Sequence, residues 1–204
     1  MNISIVIPCL NECETLQICL DKIKKKIDET KLKAEIIIAD NGSSDGSLEI
    51  AKKNKIKIVN VSKKGYGFAI RAGIDAAVGE YILIADADNS YDFNELSNFY
   101  NKIHTGFDIV QGCRLHSGGG KIEKNAMPIT HRLIGNPFFS YISRLLFKLP
   151  FKDVYCGMKI IRREFFKKKK FFFGGMVWCL EILVKSKVNG AKCSELPITL
   201  HKDG

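Results

Sequence analysis

Acidic and small polar residues gather at three points in this sequence, each directly after a run of aliphatic and β-branched residues. Pro8-Cys9-Leu10-Asn11-Glu12 follows Ile3 to Ile7, Asp40 to Gly46 follows Glu35 to Ala39, and Asp86-Ala87-Asp88-Asn89-Ser90 follows Tyr81 to Ala85. Asp86 and Asp88 alternate along the chain, so one can reach a metal while the other anchors the loop or a ribose. Hard oxygen ligands from so few residues suit Mg²⁺ or Mn²⁺ shared with a diphosphate. Asp40 can accept from a base edge or from ribose hydroxyls, and Asp45 or Ser44 can cap a helix that starts near residue 46. Gly65-Tyr66-Gly67, ahead of a helix with Arg71, makes half of a dinucleotide fingerprint. Ile70 takes the third glycine position, which disfavours an oxidoreductase and leaves a tight turn before a helix. The four histidines and seven cysteines offer no metal-ligand spacing, and neither a nucleophile elbow nor a P-loop is present.

These loops need elements that bring them to one edge. The first half alternates strand-like runs (3–7, 35–39, 55–61, 81–85 and 108–111) with helical patterns (13–27, 46–53, 67–77 and 93–103), as an open, mostly parallel α/β sheet with crossover helices does. Ligands of such sheets bind outside the carboxyl ends of the strands, where the three polar loops fall. Residues 114–136, with three consecutive glycines and Pro128, read as a long loop. A helix at 135–148, a strand at 157–161, a helix at 178–189 and a strand at 192–198 follow. The run of lysines and phenylalanines at 167–173 has neither period. The chain is expected to form one domain over 1–204, with different halves at 1–112 and 113–204.

Composition narrows the class. With 46% apolar and 26% charged residues, the chain is an ordinary globular sequence. Its net charge of +10 is uneven: residues 1–109 sum to −2 and residues 110–204 to +12. No RNA-binding module accompanies the basic half, so nucleic acid is not expected as a partner. Around 135–148, Phe138, Phe139, Ile142, Leu145, Leu146 and Phe147 cover a broad helical face beside Arg144 and Lys148. That suits either a core helix or contact with an anionic membrane surface. The longest apolar stretch is too short to span a bilayer. An odd number of cysteines without a C-x-x-C pair suggests free thiols in a reducing cytosol.

Taken in order, these segments resemble family 2 glycosyltransferases of the GT-A fold, and most of all the branch similar to dolichol-phosphate mannose synthase. The resemblance continues through Ser90-Tyr91-Asp92-Phe93, Gly112-Cys113-Arg114, Met127-Pro128, His131-Arg132, Asp153 with Cys156-Gly157, and Glu195-Leu196-Pro197. It implies transfer of a hexose, with inversion, from a GDP- or UDP-linked sugar to a polyprenyl phosphate at the cytoplasmic membrane face. It implies that Pro8, Leu10, Asn11, Glu12, Asp40, Asn41, Gly67, Arg71 and Ala87 surround the nucleotide sugar. It also implies that Asp86, Asp88 and Ser90 serve a divalent cation, and that Arg114 and Arg132 grip the acceptor phosphate. An acceptor glycan in surface polysaccharide synthesis, or a non-catalytic nucleotide-binding remnant, are the alternatives. Two positions depart from the branch: Asn41 replaces the second Asp of the commoner Asp-Asp-Gly-Ser form, and Val177 stands where relatives carry Glu ahead of Glu181. Many relatives also continue beyond the position of Gly204 into an amphipathic or membrane segment, so either a membrane protein partner or truncation ahead of such a segment is a further expectation.

Overall fold

The structure, a computed structural model, describes residues 2–167 and 169–204; Lys168, within the lysine run noted above, lies outside the described residues. Strands β1 (Ile3–Cys9), β2 (Ala34–Asp40), β3 (Lys57–Asn60), β4 (Tyr81–Ile84), β5 (Ile109–Cys113), β7 (Lys159–Arg162) and β8 (Cys193–Pro197) form one sheet in the order β3-β2-β1-β4-β7-β5-β8. A small pair, β6 (Lys121–Ile122) and β9 (Thr199–Leu200), lies apart from it. Pairing is parallel in the sheet except at β7, which runs antiparallel to both β4 and β5. The fold is therefore the mixed, mostly parallel α/β sheet of the GT-A class.

Every residue of β1 is buried, as a central strand covered on both faces requires. Helices α1 (Leu16–Thr30), α2 (Ser47–Lys53), α3 (Tyr66–Ala76) and α4 (Leu96–His104) connect the first strands. In α1, Leu16, Cys19, Leu20 and Ile23 are buried at helical spacing, so one stripe faces the sheet. Gly73 of α3 lies against Val6, a contact that leaves no room for a Cβ. From β1 the chain winds outward through β2 and β3, then returns to place β4 on the other side of β1. The carboxyl ends of β1 and β4 thus flank the point where the winding reverses.

In the second half, residues 114–136 are not a featureless loop. They hold a 3₁₀ turn at His116–Gly118, strand β6 and a π-helical turn at His131–Gly135 that runs into α5 (Asn136–Phe147). α6 (Arg163–Lys167) is a helix the sequence pattern does not announce, and α7 (Val177–Val188) follows it. α5 resolves the choice between core and surface: the buried residues of this helix are Ser140 and Ser143. Leu145 and Leu146 are 64% and 68% exposed, and Phe138 and Phe139 are also exposed. All seven cysteines are free thiols.

Candidate active site

Two depressions open along the carboxyl edge of the sheet. The first, of about 310 Å³, lies between the ends of β1 and β4 and is lined by Pro8, Cys9, Leu10, Glu12, Asn41, Tyr66, Ala69, Asp86, Ala87, Asp88 and Met176. After Ala85 the chain leaves the strand and bends, so both Asp86 and Asp88 face this pocket although they alternate in sequence. Tyr66 Oη donates to Asp86 Oδ1 at 2.8 Å, and Ser90 N donates to Asp88 Oδ1 at 2.9 Å. Gly157 packs against Asp86 Oδ2 and the Tyr91 hydroxyl, where a Cβ would collide with the carboxylate.

The pocket is acidic, and no Lys or Arg lines it among the described residues. Burial, then repulsion from Asp88, pushes the Asp86 carboxyl up to about 6. Burial, then Asp88, likewise raises Glu12 and Asp203. Among the described residues no Lys or Arg forms an ion pair with Asp86, Asp88 or Glu12. Repelling, hard carboxylate oxygens of this kind fit a divalent cation. Among the described residues no three His, Cys, Asp or Glu side chains are grouped to enclose an ion alone, so its remaining ligands would come from substrate phosphate or water.

The second depression, of about 430 Å³, is basic and brings Arg114 and Arg132 together, with His116, Lys121, Leu133 and Pro137. Arg114 is buried, and Asp153 holds it as a fork: Nε to Oδ2 at 2.7 Å and Nη2 to Oδ1 at 2.9 Å. Asp153 Oδ2 also accepts the Arg114 backbone N–H at 3.0 Å. A guanidinium has five N–H donors, so three of Arg114's remain for a ligand. Glu195 Oε1 accepts from the backbone N–H groups of Lys152 and Asp153, fixing the loop that carries the acid. Arg132, on the π-helical turn, is exposed. Arg114 stands near enough to Asp86 for its charge to lower that carboxyl.

Other expected site residues serve the frame rather than a pocket wall. Asp40 is buried and off the pocket wall, and its carboxylate accepts from Gly42 N and Ser43 N, closing its own loop. Asn11, at φ 60°, accepts Ser44 N on its side-chain oxygen at 2.8 Å and clips the first polar loop to the second. Asp45 accepts Ser47 N and Oγ at the start of α2 and also Cys13 N, which holds its carboxyl below the usual range despite the cost of desolvation. Asn41 reaches the wall, yet its amide is committed. Nδ2 donates to the carbonyls of Val61 and Lys63, and Oδ1 accepts Gly65 N at 2.6 Å. An aspartate could not make those two donations, which gives a physical reason for the departure at this position. Ser90 is buried and is not on the pocket wall. Gly67 is also off the wall: its N–H donates to Gly174 O at 2.7 Å, and α7 packs where its side chain would be. Arg71 lies apart, lining a different depression beside α6.

Three site residues escape a reading of motifs. Tyr66 sits inside the glycine pair and holds Asp86. Met176 arrives from the start of α7. Lys159 is fully buried, and its ammonium donates to the carbonyls of Cys156 and Gly157, both at 2.8 Å. Register places Lys159 opposite Ile84, one step from the acidic loop, where its charge also lowers Asp86. Only the antiparallel insertion of β7 brings it there.

Comparison with known proteins bears on the fold and the family. The chain is 30% identical over 200 residues to a low-salt glycan biosynthesis hexosyltransferase of Haloferax volcanii, a match covering 98% of this chain and 48% of that protein. It thus spans about half the length of that relative. A dolichyl-phosphate hexose transferase of the same organism is 27% identical, over 97% of this chain and 82% of that protein. Glucosyl-3-phosphoglycerate synthase from Mycobacterium tuberculosis, in complex with Mn²⁺, UDP-glucose and phosphoglyceric acid, superposes with a TM-score of 0.77 at 17% identity, covering 100% of this chain and 71% of that one. Since the Glycosyl transferase family 2 model matches residues 4–169, most of the sheet and both pockets' principal side chains included, the chain belongs to glycosyl transferase family 2.

Proposed function

We propose that this chain is an inverting hexosyltransferase that uses a GDP- or UDP-linked sugar and a polyprenyl phosphate, working peripherally at the cytoplasmic membrane face. The carrying observation is the pair of pockets on the carboxyl edge of the sheet, one acidic with Asp86 and Asp88, the other basic with Arg114 and Arg132. The donor lies in the acidic pocket, with Pro8, Leu10, Glu12, Asn41 and Ala87 around the nucleotide and Asn11 and Asp40 shaping the loops beneath it. The acceptor phosphate lies on the arginines. On this reading residues 1–112 form the donor half and 113–204 the acceptor half. The dolichyl-phosphate relative and the outward apolar face of α5 support a lipid acceptor. A membrane protein partner would use the same face.

The chemistry follows from the charges. An acceptor phosphate is already largely ionised near neutral pH, so the site needs no strong general base. Arg114, clamped by Asp153, and Arg132 orient the phosphate so that one oxygen faces the anomeric carbon opposite the nucleoside diphosphate. The new C–O bond forms as the bond to the diphosphate breaks, and the nucleoside diphosphate leaves with the electron pair. Asp86 and Asp88 would hold Mg²⁺ or Mn²⁺, which when bound neutralises charge on the diphosphate.

The test is transfer of label from a panel of radiolabelled nucleotide sugars to undecaprenyl phosphate with Mn²⁺, read as label partitioning into organic solvent. Asp88→Ala should lose at least about a hundredfold in turnover while keeping the fold. Full activity in the folded variant refutes the metal role. Label on a glycan in place of the lipid assigns the other acceptor class.

A further inference from the structure

The segment leading into α7 carries a second outward apolar surface, separate from α5. Phe172 and Phe173 are 71% and 52% exposed, and Met176 and Val177 are about half exposed. This is not a frayed loop. Glu181 accepts Phe172 N at 2.8 Å and Phe173 N at 3.0 Å, and Gly174 O accepts from Gly67 N at the start of α3. The backbone polar groups are tied down while the apolar side chains are held out to solvent.

Beside this tip lies a depression of about 350 Å³ between α3 and the same segment. Arg71, Lys167, Lys169 and Lys170 contribute four cations to its lining against one carboxylate, Asp75, with Phe166 and Phe171 as walls. None of the four cations forms an ion pair with an acidic side chain among the described residues. Lys169 instead donates to Asn189 Oδ1 at 3.0 Å. The order along the fold matters. β7 is antiparallel, so it ends at the edge away from the polar loops. α6 follows β7, and the apolar tip at 172–176 reaches α3 near the acidic pocket.

A cationic pocket set behind outward phenylalanines matches the layering of a bilayer surface, with phosphates outside and acyl chains within. We propose that residues 167–177 engage an anionic phospholipid bilayer, with Phe172, Phe173, Met176 and Val177 entering the acyl region and the Arg71–lysine pocket taking a headgroup phosphate. Met176 also lines the acidic pocket, so this contact sits at the mouth of the donor site. The inference rests on the reading above of a membrane-working transferase, adding a second point of contact to α5. Two such points would seat the catalytic edge on the membrane where one would let it pivot.

Co-sedimentation with vesicles of phosphatidylcholine alone, or mixed with phosphatidylglycerol, tests it. The double variant Phe172→Ser/Phe173→Ser should bind mixed vesicles on the order of tenfold more weakly. Lys167→Glu/Lys170→Glu should lose most of the preference for phosphatidylglycerol. Retained nucleoside diphosphate binding checks that both variants are folded. Unchanged partitioning in both overturns the proposal. So does a dimer seen by light scattering without lipid and lost in the phenylalanine variant, which would make the surface a contact between copies, or RNA binding lost in its place. Detergent-based transfer assays separate the two readings: vesicle binding that depends on Phe172 and Phe173 without sugar transfer would refute the activity and leave this inference standing.

Discussion

At the scale of single residues, the site depends on polar side chains whose hydrogen bonds to the backbone or to one another fix their orientation. Asn41 is the clearest case, because its amide ties β2, the 61–65 turn and the start of α3 together with two donations and one acceptance. Asn41→Asp would set a carboxylate against two carbonyl oxygens in a buried position. We expect a loss of about 2–3 kcal/mol of stability, read by urea unfolding; an unchanged midpoint would show that the loop has another anchor. Arg114 follows the same logic, its fork with Asp153 fixing which donors remain free. The motif Asp86-Ala87-Asp88 was legible in sequence because chemistry restricts the residue types there, whereas Arg114 entered through the family resemblance. Tyr66 and Lys159 were not legible, since a tyrosine between two glycines and a lysine in a short strand carry no local mark of their partners.

At the scale of elements, helical periodicity reports that a face is apolar without saying what covers it. α5 shows this well: its spacing suits burial, yet the structure buries Ser140 and Ser143 and turns Leu145 and Leu146 outward. Ser140 Oγ accepts Val154 N, which fits a small polar residue at the inner face. Leu145→Glu/Leu146→Glu should therefore leave thermal stability within about 0.5 kcal/mol of the parent, as surface substitutions do. The same variant should weaken binding to phosphatidylglycerol-containing vesicles several-fold. A large fall in melting temperature would instead mean that the face packs inward. Strand runs were easier to read, because β1, β2 and β4 are buried on both faces and show continuous aliphatic runs. α6 and the segment before α7 were not: Arg163, at the start of α6, donates to Glu80 O and Gly79 O, and residues 172–174 bond to Glu181 and Gly67, ties that leave no period in the sequence.

At the scale of the whole molecule, the fold gathers like charges that are distant in the chain. Glu12, the Asp86–Asp88 loop and Asp203 come from three separate segments, and burial, then repulsion from Asp88, raises Glu12, Asp86 and Asp203. With Asp86 raised to about 6, the folded protein binds more protons than the unfolded chain between about pH 4 and 6. Stability from this site is thus greatest at low pH and falls as pH rises through 6. A divalent cation reverses that by favouring the ionised form. Mn²⁺ should raise the melting temperature clearly at pH 7.5 and little at pH 5, and a shift independent of pH would argue against Asp86 as a ligand. By itself the sequence determined the α/β alternation, the three polar loops and the concentration of positive charge in the second half, because each is a property of neighbouring residues. Tertiary structure alone decided that β7 enters antiparallel with Lys159 behind Asp86, that Arg114 and Arg132 share a pocket, and that α5 faces outward. Those outcomes depend on strand order and long-range packing, which no local pattern encodes.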